Sequence, residues 1–165
     1  MLDTDIAWAV ATRPATIALV ALTLLLAWPL GRRRGRLGVL FVLTLGLVLA
    51  ATATSRLFLP SPAAVGPYLA EFADPAYLVG GFAGSMEKLA NIALFLPLGL
   101  LGTLLWRRPA AVLAGCVALT FSIEAWQSVV GRVGDAVDVV HNSVGALLGV
   151  VLARVWTYLA SQDTV

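Results

Sequence analysis

Long apolar stretches, each closed by a short group of arginines, prolines or acids, divide this chain into successive segments. The first runs from Ala15 to Leu30, follows Arg13-Pro14 and ends at GRRRGR, residues 31–36. A second begins at Leu37 and fades near Ser55. Further stretches span about Glu87 to Trp106, about Ala110 to Val130 and about Val137 to Tyr158. A spanning helix takes roughly 20 apolar residues, so the pattern predicts an all-α, polytopic transmembrane helical bundle of about five spans, read as a single membrane domain over residues 1–165. Only residues 31–36 separate the first two stretches, which predicts an antiparallel hairpin. Arg107-Arg108-Pro109 predicts a tight turn, and Pro97 a kink within the third span. Residues 56–86 break the pattern with Pro60, Pro62, Pro67, Pro75 and Gly80-Gly81. They read as one long extracytoplasmic loop with a short interfacial helix around Tyr68–Val79.

Composition agrees. The chain is 60% hydrophobic and 12% charged, against roughly 45–50% and about 25% for a soluble domain. A water-exposed globule is excluded, and five spans leave no room for a separate soluble domain. Cys116, the single cysteine, lies in an apolar stretch and reads as a small core residue; an internal disulfide is impossible. Asp3 and Asp5 precede the first stretch and arginines follow it, the reverse of a signal peptide, so an uncleaved first span is expected.

Charge then sets an orientation. With the N-terminus outside, Arg32, Arg33, Arg34, Arg36, Arg107, Arg108 and Arg154 fall on the cytoplasmic side, while Arg13, Arg56, Lys88 and Arg132 fall outside. Positive residues favour the inside, so N-out/C-in is expected in a multi-pass protein of the cell membrane. The arginines thus read as topology anchors attracted to anionic lipid, not as a nucleic-acid surface.

Polar residues inside spans are costly and mark functional or paired positions. At about 1.5 Å per residue, Asn91, Glu124 and Asn142 lie about 6, 9 and 6 Å below the outer ends of the third, fourth and fifth spans. Helical spacing groups Glu87, Asn91 and Gly102 on the third, Thr120, Glu124, Gln127 and Ser128 on the fourth, and Asp138, Asn142, Gly145 and Gly149 on the fifth. Facing one another, these stripes predict an outward-facing polar pocket. Gly145 and Gly149 allow a neighbouring helix to approach closely.

Three segments now carry a resemblance: NIALFLPLG from Asn91 to Gly99, SIEAWQ from Ser122 to Gln127, and GRVGDAVDVVHNSVGALLG from Gly131 to Gly149. In this order, over about residues 87–156, they resemble the VanZ-like family of small bacterial membrane proteins, named after a teicoplanin-resistance protein. The resemblance implies a multi-span cell-envelope protein with a role in resistance to teicoplanin-type glycopeptides. It carries no settled biochemical activity. Its polar pattern falls on Asn91, Glu124, Gln127, Arg132, Asp135, Asp138 and Asn142.

Glu124, Asp135 and Asp138 are the candidate acid/base residues, since a carboxylate at such a depth suits proton transfer. Asn91, Gln127, Arg132 and Asn142 are the candidate substrate-binding residues. The expected partners are membrane lipids and a lipid-linked cell-wall precursor or glycopeptide. Plainer readings stand beside these: Glu124 clasped to Arg132 or Gln127, Arg132, Asp135 and Asp138 forming a solvated turn, and the asparagines holding helices together. A divalent-metal site from Glu124, Asp135 and Asp138 with His141 is the weaker alternative. His141 reads as a lone hydrogen-bonded histidine, and no metal or cofactor is expected. An intramembrane enzyme acting on a lipid headgroup and a structural scaffold for partner proteins are the competing functions. A small transporter is less favoured, for want of an inverted repeat.

Overall fold

The computed structural model describes residues 14–53, 65–81, 86–130 and 134–162. Of these, 93% are helical, with no strand among them. The elements are α1 (Pro14–Ala53), α2 (Val65–Glu71), α3 (Pro75–Gly80), α4 (Met86–Trp106), α5 (Pro109–Val129) and α6 (Ala136–Gln162). Two compact units hold them, Met1–Arg56 and Leu57–Val165.

The first unit is a hairpin. Its helix is interrupted at Gly35, where φ is 64° and ψ −156°, a region open to glycine alone. Beyond that residue the chain runs back along itself. A Cβ built on Gly31 would come within 2.6 Å of Val39 Cγ2, and one on Gly46 would strike the Thr23 side chain. Residues about equally far on either side of Gly35 therefore face each other, as antiparallel arms require. The six-residue loop expected from GRRRGR is in fact helical on both sides of a single reversing glycine.

In the second unit α6 is the central helix, packed on α4 and α5. Its most apolar window is 56% buried, against 28% for α4 and 22% for α5. Small residues set how closely it packs: a Cβ on Gly99 would strike the Ala146 carbonyl, on Gly145 the Ile92 carbonyl, and on Gly149 the Leu96 carbonyl. Helices in lipid gain little from apolar burial against each other, so this near backbone contact supplies the dispersion that holds them. At the tight turn, Arg107 takes a left-handed φ of 54° and donates its N–H to the Thr103 carbonyl at 2.9 Å. Pro109 then opens α5 with its φ preset.

α1, α4, α5 and α6 each contain a stretch long and apolar enough to cross a membrane. With α1 reversing at Gly35, five spanning arms result. Their large apolar side chains point outward, as at Leu25, Leu47, Leu147 and Leu152, which only an apolar solvent tolerates. Between the hairpin and α4 the expected single interfacial helix is two. Asp74 ends the first by starting a second: its carboxylate accepts from the backbone N–H groups of Ala76 and Tyr77 at 3.0 and 3.1 Å, and Pro75 takes the first helical position.

Candidate functional site

One end of the α4–α6 bundle gathers most of the polar residues of the second unit. α6 begins there, and the first N–H groups of a helix have no partner within it. Three carboxylates answer three consecutive donors. Glu124 Oε2 accepts from Asp135 N at 3.2 Å, Glu71 Oε2 from Ala136 N at 2.9 Å, and Asp135 Oδ1 from Val137 N at 2.7 Å. Negative charge at this positive end of the helix dipole is favourable. Glu124 is only 3% exposed, and Gln127 Nε2 donates to its other oxygen at 3.5 Å. Ser128 Oγ donates to the Glu124 carbonyl at 3.0 Å. Glycine is needed at position 134, because a Cβ there would strike both that carbonyl and Ser128 Oγ.

Below this layer lie two more. Asp138 is hydrogen-bonded to the Asn91 side chain, joining α6 to α4. One turn further, about 6 Å along α6, Asn142 Nδ2 donates to Thr120 Oγ1 at 2.8 Å. Asn142 is 2% exposed, and its Oδ1 has no hydrogen-bond partner among the described residues. Glu124, Asn91 and Asn142, expected at one depth, thus occupy three successive layers, since α5 runs antiparallel to α6 and brings Thr120, not Glu124, level with Asn142. His141 is buried, with Nδ1 2.7 Å from the Val137 carbonyl, which places a proton on that nitrogen.

The two short helices cap this end. Tyr68 is 2% exposed; its ring meets Phe72 edge-on at 5.3 Å and Phe121 of α5 at 5.7 Å. Its hydroxyl donates to the Phe121 carbonyl at 3.4 Å. Tyr77 OH donates to Asp135 Oδ1 at 3.2 Å, and Lys88 Nζ donates to the Gly81 carbonyl. Burial first, then the Glu124 and Glu71 charges, holds the Tyr68 phenol far above its ordinary value. Partial burial, followed by Asp135 and Glu71, pushes Tyr77 up to about 12. Both phenols therefore stay protonated donors at neutral pH.

Residues 15–157 match the VanZ/LLP1 family. This chain belongs to the VanZ/LLP1 family. No curated protein and no solved structure matches it. The family match reaches well beyond residues 87–156, where the motif resemblance lay, and takes in the hairpin and the cap as well. This VanZ/LLP1 protein is a membrane protein, and the three segments that carried the resemblance converge on the capped end: Asn91 from the first, Glu124 and Gln127 from the second, Asp135, Asp138 and Asn142 from the third. Arg132 lies outside the described residues.

Glu71, Tyr68 and Tyr77 belong to the same cluster, yet none stood out in the sequence. They sit in the proline-rich stretch, and Glu71 and Tyr77 meet partners 65 and 58 residues away. Only the Asp74-Pro75 helix start was a local signal there. Among the described residues, no group of three or more His, Cys, Asp or Glu is placed to hold a metal ion.

Proposed function

We propose that this protein is a multi-pass protein of the cell membrane that binds a lipid-linked or amphiphilic cell-envelope molecule at the capped end, and so contributes to tolerance of teicoplanin-type glycopeptides. The carrying observation is chemical. Glu71, Glu87, Glu124, Asp135 and Asp138 gather at one end of the bundle, and the buried Asn142 Oδ1 beneath them lacks a donor among the described residues. Acceptors in such excess suit a ligand that brings hydrogen-bond donors or positive charge. In this reading Glu124 and Asp135 position the start of α6, Asp138 and Asn91 meet the ligand, and Gln127 and Asn142 orient the site.

The test is made in cells whose teicoplanin tolerance the parent chain raises. Asp138→Asn and, separately, Glu124→Gln should abolish that gain at unchanged protein level. Full tolerance in both variants overturns the reading.

The capping bonds favour a second role for the same carboxylates, a clasp that fixes α6 to α5 and to the cap. Thermal unfolding in detergent separates the two roles. A clasp predicts a lower melting temperature for Glu124→Gln along with any lost tolerance, whereas binding predicts lost tolerance at an unchanged melting temperature for Asp138→Asn.

A further inference from the structure

The hairpin holds a second chemistry. Arg32, Arg33, Arg34 and Arg36 are all exposed around the reversal at Gly35, and no Asp or Glu occurs in the sequence from Ile6 to Ala70. Among the described residues of this unit, 14–53, four guanidinium groups thus sit together with no carboxylate beside them. They are not equivalent. Arg32 and Arg36 line a groove of about 480 Å³, together with Leu24, Ala27, Trp28 and Val39; Arg33 and Arg34 do not. The Arg32 guanidinium lies 4.7 Å from the Trp28 ring centroid, a cation–π contact that draws it over the indole. Trp28 itself is 66% exposed.

A topology anchor asks only for positive charge near a helix end. It does not ask for two guanidiniums on the rim of an apolar trough with an indole beside them. That combination matches the two halves of a phospholipid. Guanidinium forks bind phosphate oxygens in pairs, and Leu24, Ala27 and Val39 offer an acyl chain a wall. We propose that the hairpin groove is a binding site for one anionic glycerophospholipid, its phosphodiester between Arg32 and Arg36 and its acyl chain against Leu24, Ala27 and Val39. The apolar wall decides for a lipid over a soluble phosphate.

The experiment uses the full chain in phosphatidylcholine vesicles, with Trp28 as the sole tryptophan (Trp8→Phe, Trp106→Phe, Trp126→Phe, Trp156→Phe). Quenching of Trp28 by brominated phosphatidylglycerol is compared with quenching by brominated phosphatidylcholine. A preference of at least about five-fold for the anionic lipid is expected, the factor one surface arginine typically supplies. R32Q/R36Q should bring the ratio near one, while R33Q/R34Q, which removes the same charge, should leave most of it. Equal losses in the two pairs, or none in R32Q/R36Q, would overturn the site in favour of diffuse attraction. Excess inorganic phosphate should leave the ratio unchanged; if it abolishes the preference, the groove takes a soluble anion and the lipid assignment fails. Should the single-tryptophan chain not fold, native mass spectrometry of the parent and both pairs reads the same comparison, as retained phosphatidylglycerol per chain.

Discussion

Glu124 illustrates how a buried carboxylate is tolerated: both of its oxygens face donors, Asp135 N and Gln127 Nε2. Glu124→Ala strips both donors of their acceptor and should cost about 1–3 kcal/mol, the usual penalty for stranding a buried polar group. Glu124→Gln keeps a carbonyl for Asp135 N and should cost clearly less; unfolding in detergent measures the difference. Tyr77 makes a pH-dependent prediction. Its neutral phenol is favoured in the folded state, so the stability it adds is complete below pH about 10 and is lost as pH rises towards about 12. A spectrophotometric titration of the three tyrosines should lose its step near pH 12 in Tyr77→Phe. The sequence revealed Glu124, Gln127, Asp138 and Asn142 because helical spacing is local. It was silent on Glu71 and Tyr77, whose partners lie far along the chain.

At the level of the helices, the apolar stretches marked every long element, since a span must be apolar along its whole length. What they could not mark was how the hairpin turns. GRRRGR looked like a loop because charge and glycine normally end a helix, yet Gly35 alone makes the reversal and the arginines remain helical around it. The cap was only partly legible, with proline density hiding two short helices behind the look of a loop. Close packing of α4 on α6 gives the sharpest prediction here. Gly149→Ala and Gly145→Ala push a methyl into backbone and should each destabilise the bundle by about 1–3 kcal/mol. At Gly115 an added Cβ meets nothing within 4 Å, and Gly115→Ala should instead be neutral or stabilising by about 0.5–1 kcal/mol. Melting temperatures of the three variants in one detergent provide the comparison.

For the molecule as a whole, family membership over residues 15–157 makes the hairpin, the cap and the three-helix bundle parts of one inherited design. The charge count predicts N-out/C-in, with the cap on the extracytoplasmic side. An alkaline phosphatase fused within residues 56–86 should therefore be active and one fused at Arg34 inactive; the opposite result reverses the topology. That side is also where a glycopeptide would be met, so the topology experiment bears directly on the proposed function.

The contact of α4 with α6 at Gly99, Gly145 and Gly149 also governs access. Where one backbone lies against the other, neither an acyl chain nor a file of water molecules fits between them, and that wall of the bundle is sealed to the bilayer. A molecule approaching Glu124 sideways from the membrane therefore finds no passage between α4 and α6.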